Sequence, residues 1–238
     1  MEHGHTVEEI SERLSKPVKN TNLKDCVYGG IDGAVTTFAI VAGVHGAGFS
    51  PNIIIALGIA NVLADGFSMA ASNYSATKAE FEDIERLRAV ERRHIRDEPD
   101  GEREEIRQIL RAKGLSGTTL ENAVSDVSNN EDTWIDMMLV DEYGKAPVDP
   151  QPMRAAMATF LSFMACGLVP LLPFLLTFED PFPVAMITTG ITFFLIGILK
   201  SNWSLNAWWR SGLETLFIGS TAAAIAYAAG HLVSLMTG

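Results

Sequence analysis

Five apolar stretches, each near the twenty residues that a helix needs to cross a bilayer, fix most of what this chain can become. They are residues 27–49, 52–77, 154–178, 183–200 and 211–236. The long segment between the second and third has the opposite character. Residues 78–153 hold 19 of the 29 acidic residues and 11 of the 18 basic ones. Charge segregated this sharply describes two apolar blocks around one solvated helical insert. The expected fold is all-α: an integral membrane protein with five transmembrane helices and a cytoplasmic helical domain inserted between helices 2 and 3. The expected divisions are a polar tail (1–24), helices 1–2 (25–77), the acidic insert (78–153) and helices 3–5 (154–238).

Lysine and arginine set the orientation. Lys16, Lys19 and Lys24 precede the first span, and the loop between spans four and five carries Lys200 and Arg210. The other two loops have no basic residue. The N-terminus and insert are therefore expected in the cytoplasm and the C-terminus outside, in a bacterial inner membrane. Trp203, Trp208 and Trp209 suit an aromatic interface belt. A formal charge of −11 argues against nucleic acid as a partner. Cys26 and Cys166 form no CxxC pair and read as small packing residues. The tail lacks the apolar centre of a cleavable signal peptide, and its His3 and His5 read as a loose tail.

Within the insert, residues 78–97 contain neither Gly nor Pro and are expected to continue the second span as helix. Glu98–Pro99–Asp100–Gly101 is expected to break it. A second helix follows over 102–113, a third capped by Ser116 or Thr118, and a fourth over 131–143 stopped by Gly144 and Pro147.

Carboxylates inside apolar spans mark a pathway by default, because their burial in lipid is costly. Asp32 lies in span one, Asp65 in the middle of span two, and Glu214 near the start of span five. Asp65 and Met69 are four apart and share a helix face. A carboxylate one turn from a thioether suits a borderline transition metal better than Mg²⁺ or Ca²⁺. In the insert, Glu91 and His94 are three apart, as are Glu102 and Glu105. Met137, Met138, Asp141 and Glu142 crowd the last helix. Pairs converging from three helices can build an oxygen-rich metal site, although such pairs also arise by chance in charged helices.

At Tyr28–Gly29–Gly30–Ile31–Asp32–Gly33 the sequence resembles the vacuolar iron transporter family. The likeness continues through Phe67–Ser68–Met69, Trp134–Ile135–Asp136–Met137–Met138 and Gly167–Leu168–Val169–Pro170–Leu171–Leu172–Pro173–Phe174. The resemblance implies a homodimeric transporter, not an enzyme, that moves Fe²⁺ and often Mn²⁺ out of the cytoplasm in exchange for protons. No permanent cofactor is implied; the metal is substrate. Asp32 and Met69 match the family's pore residues. Glu91, Glu102, Glu105, Met137 and Met138 match its cytoplasmic metal-binding domain. The sequence also departs from the pattern, with Ala70, Ala71 and Ser72 where glycines commonly follow the methionine. His94 stands where a glutamate is frequent, Asp141 and Glu142 both stand near a further glutamate position, and Asn61 replaces a glutamate one turn before Asp65.

Two other readings use the same residues. Glu91–Arg92–Arg93–His94 is a Glu-x-x-His pairing of the kind di-iron bundles employ, but only one histidine lies in the insert, so an iron-oxidising site needs a second copy. A metal sensor that does not transport leaves Asp32 and Asp65 without a purpose.

Overall fold

The computed structural model describes residues 4–15, 21–145 and 150–237, and among these every regular element is a helix. His3, Lys16, Lys19 and Pro147 lie outside the described residues. The helices are α1 (Val7–Ser15), α2 (Leu23–Gly46), α3 (Pro51–Asp97), α4 (Pro99–Ala112), α5 (Gly117–Ser128), α6 (Glu131–Asp141) and α7 (Pro152–Leu168). A 3-10 turn (Val169–Leu171), α8 (Leu172–Leu175), α9 (Pro181–Ser201) and α10 (Trp208–Thr237) complete the chain.

Five segments are long and apolar enough to cross a membrane: α2, α3, the run Pro152–Leu175, α9 and α10. Each begins slightly earlier than hydropathy alone predicts. The reason is visible at Pro51, Pro152 and Pro181, which stand at the first helical position. There a missing N–H costs nothing and the fixed φ favours the helix. The third segment is interrupted at Pro170 and Pro173, where the α-helix gives way to the 3-10 turn and then to α8.

The chain forms two compact units. The first comprises Thr21–Ala76 and Pro152–Gly238. Its apolar centre joins Phe38, Val41, Ile54, Val62, Leu171, Phe174 and Ala185. In lipid the hydrophobic effect does not hold helices together, so close van der Waals approach must. Gly29 and Gly33, one turn apart on α2, provide it against α7. A Cβ on Gly29 falls 2.4 Å from the Thr159 carbonyl oxygen, and one on Gly33 falls 2.4 Å from that of Phe163. The other end of α2 meets α10 in the same manner, with a Cβ on Gly230 reaching 2.0 Å from the Gly43 oxygen.

The second unit comprises Thr77–Gln151 with Met1–Asn20. Ile106, Leu110, Leu120, Val124, Trp134 and Met138 are buried together across α4, α5 and α6. Ile84, Leu87, Ile135 and Leu139 form a second cluster between α3 and α6. Each such side chain removed from water contributes about 1.5–3 kcal/mol. The break after α3 is shorter than the sequence suggests. Glu98 alone is non-helical, and α4 starts at Pro99, taking in Asp100 and Gly101. Gly114, at φ +97°, follows the end of α4. Ser116 occupies the N-cap of α5 with extended backbone but no side-chain cap bond. Asn130 caps α6, its side-chain oxygen accepting from the Thr133 N–H at 3.1 Å. α6 ends at Asp141, two residues before its expected end, and Gly144 adopts φ +64° beyond it.

Candidate metal centre

The single-residue break at Glu98 folds α4 back near the last turn of α3. His94 Nδ1 then lies 3.3 Å from Glu102 Oε1. Glu91, one turn earlier on α3, faces the same point. Ligand atoms of Glu91, His94 and Glu102 all lie within 4.8 Å of one another. Glu91 is 1% exposed and Glu102 5%. Each has one carboxylate oxygen, Oε2, that is buried without a hydrogen-bond partner among the described residues. Buried charge without partners is strongly unfavourable. Two such carboxylates beside an imidazole form a ready seat for a cation.

The electrostatics agree. Burial, followed by the negative charges of Glu91 and Glu105, pushes the Glu102 carboxyl up to about 7, while His94 acts in the opposite sense. Glu142 is also raised, first by burial and then by Glu105 and Glu91. Glu105 is exposed, yet its charge reaches both carboxyls, so it belongs to the cluster's field. Tyr143 is a member that sequence reasoning missed. Its phenol donates to Glu91 Oε1 at 2.9 Å and also interacts with Glu142. Burial and these carboxylates hold the phenol well above its ordinary range, so it stays a donor.

The other expected ligands lie elsewhere. Met138 is fully buried in the apolar cluster of α4, α5 and α6, and Met137 packs partly buried against it. Asp141 accepts from Lys113 Nζ at 2.6 Å. Its neighbour Glu142 is the one whose charge couples to Glu91 and Glu105. Chain separation hides this: Lys113 is 28 residues away from Asp141.

In the unit of spans, Asp32 on α2 and Asp65 on α3 are both half-buried and interact electrostatically. Asn61, Asp65 and Met69 follow at intervals of four on α3, and all are half-buried. The Asn61 amide nitrogen is buried with no partner among the described residues, so this stripe has unused polar capacity. Glu214 pairs with Lys200 at 3.4 Å and is exposed.

Asp25, seven residues before Asp32, is a buried polar contact that sequence reasoning missed. It is 5% exposed. Asn73 Nδ2 donates to Asp25 Oδ1 at 2.9 Å and to Thr159 Oγ1 at 2.7 Å, tying α2, α3 and α7 together. The available signal was the stripe Asp25–Gly29–Gly33, spaced by four on the face turned to α7.

The sequence profile of the VIT family matches residues 23–231. The chain is similar to "Vacuolar iron transporter 1" of Tulipa gesneriana, at 32% identity over 89% of this chain and 87% of the relative. It is 30% identical to "Vacuolar iron transporter 1" of Arabidopsis thaliana over 89% of this chain and 86% of that one. The "Vacuolar iron transporter" of Plasmodium berghei (strain Anka) is 27% identical over 99% of this chain and 90% of its own length.

Proposed function

The chain belongs to the VIT family, and from that premise we propose that it carries divalent metal ions across a membrane, with Fe²⁺ as the main substrate and Mn²⁺ as a second. The observation that carries this reading is the convergence of Glu91, His94 and Glu102, whose ligand atoms lie within 4.8 Å of one another, with one buried oxygen on each glutamate that has no hydrogen-bond partner among the described residues. Oxygen ligands joined by one imidazole favour a borderline divalent ion, and a thioether at Met69 adds a softer contact. Glu105 and Glu142 supply negative charge around the seat. Met137, Met138 and Asp141 reach the metal only if the last helix of the insert repacks on loading.

In this reading the insert is a cytoplasmic loading platform. The Lys and Arg distribution supports that orientation, with export from the cytoplasm. Asp32, Asp65 and Met69 form the transport pathway through the spans. Asp65 and Met69 are only half-buried in one chain, which supports a homodimer in which two copies of α2 and α3 enclose the path. A carboxylate must be ionised to hold metal, so protons and metal compete for the same oxygens. That competition supports proton exchange as the driving reaction. The relatives are named as transporters, not enzymes. An iron-oxidising centre needs further histidines, and among the described residues His94 alone stands with Glu91 and Glu102.

The test is flux in sealed vesicles that carry a pH gradient, followed with a metal-quenched dye and a pH dye. Fe²⁺ and Mn²⁺ uptake with opposite proton movement is expected, and Asp32→Asn should abolish both. Unchanged flux in Asp32→Asn, with orientation checked, would overturn the pathway.

A further inference from the structure

A cavity of about 580 Å³ opens between the start of α2 and the end of α9, inside the unit of spans. Neither Asp32 nor Asp65 of the proposed pathway lines it. Lys24 and Lys200 stand in its lining with Tyr28 and Trp203, and Val27 and Ile31 complete its α2 wall. Along α2 these residues form one stripe. Lys24, Tyr28 and Ile31 follow at steps of four and three, and Val27 lies beside them. Seven residues of helix cover about 10.5 Å. Over that distance the wall changes from ammonium at Lys24, through Val27 and Tyr28 side by side, to aliphatic at Ile31.

That order is the order of groups in a phospholipid entering from the membrane surface. We propose that this cavity binds the phosphate headgroup of an anionic phospholipid between Lys24 and Lys200, with its first acyl carbons on Val27 and Ile31. Three observations favour this occupant. Lys24 is exposed where it lines the cavity, so its side chain is within reach of an anion entering from the surface. Lys200 is half-exposed and only loosely paired with Glu214, at 3.4 Å. Tyr28 and Trp203 are 62% and 60% exposed, as suits rings that sit at headgroup level. The one carboxylate close in sequence, Asp25, is buried and engaged by Asn73. Two lysines reject a metal ion, and an aliphatic wall offers nothing to free phosphate. Basic pockets at the ends of membrane helices recognise anionic headgroups by the same physics.

The inference does not depend on the transport reading, since lipid retention is measured without metal. The full chain in detergent micelles is incubated with dioleoyl phosphatidylglycerol or dioleoyl phosphatidylcholine, and retained lipid is counted by native mass spectrometry. Phosphatidylglycerol should be retained preferentially. Lys24→Gln and Lys200→Gln should each weaken retention roughly fivefold, the loss expected for one lysine near the surface. Val27→Trp fills the aliphatic wall and should also expel the lipid while leaving both lysines in place, which keeps the test valid if a lysine variant fails to fold. Lys78→Gln, outside the cavity, is the control and should retain lipid like the native chain. Equal retention of the two lipids overturns the proposal, as does unchanged retention in folded Lys24→Gln and Val27→Trp. Displacement of the lipid by millimolar inorganic phosphate overturns it as well, because the cavity is then a phosphate site.

Discussion

Lowering the pH from 8 to 6 should weaken metal capture by the insert about tenfold through Glu102 alone. The carboxyl sits at about 7 in the folded protein, raised from 4.5 mainly by burial and by the charges of Glu91 and Glu105. Metal binds the ionised form. With a midpoint near 7, roughly ten elevenths of Glu102 is ionised at pH 8 and about one eleventh at pH 6. The same shift has a defined sign for stability. A carboxyl raised in the folded state favours folding of the metal-free insert fully below its unfolded value, and that contribution is lost as pH rises through about 7. Metal binding reverses the trend, because the cation replaces the proton. The assay is Mn²⁺ titration of the full chain in detergent by electron paramagnetic resonance, at half-unit pH steps. Glu102→Gln isolates the effect from the other ligands. It should bind more weakly at pH 8 and lose the tenfold component of the pH dependence. An identical ratio of affinities between pH 8 and pH 6 in the native chain and in Glu102→Gln would refute the assignment of the proton to this carboxyl.

Glu142→Gln should lower Mn²⁺ affinity severalfold, whereas Asp141→Asn should leave it within about twofold, because Asp141 is engaged by Lys113; isothermal titration of both variants decides between the two neighbours. Tyr143→Phe removes the donor to Glu91 and should cost about tenfold in affinity, the usual effect of losing a group that orients a ligand, with helicity by circular dichroism unchanged. Gly33→Leu places carbon where the Phe163 backbone now lies and should destabilise the unit of spans by about 1–3 kcal/mol or more, seen as a lower melting temperature in detergent.

The spans were legible because twenty apolar residues in a row have few alternatives. Their starts were misplaced by hydropathy, which does not register that Pro51, Pro152 and Pro181 begin helices well. The site was legible only where it is local. Glu91 and His94 share a face through spacing, whereas Glu102 joins them through a turn one residue long, which a composition-based break over four residues obscured. Tyr143 and Lys113 act on residues distant in the chain, and nothing in a linear reading ties a phenol to Glu91 or an ammonium to Asp141. Met138 followed the family pattern as a ligand, but its position among Ile106, Leu120 and Trp134 is that of a core side chain.

The glycine seam of α2 has a thermodynamic consequence. Gly29, Gly33 and Gly43 present bare backbone to α7 and α10, so the contact orders few side-chain rotamers and, within lipid, removes little surface from water. Separation of those helices should therefore carry almost no heat-capacity increment. The insert, whose Ile106 and Trp134 are shielded from water, should carry a large one. On cooling, the two units of one chain should then diverge, the insert passing through a stability maximum and loosening in the cold while the seam of the spans keeps tightening.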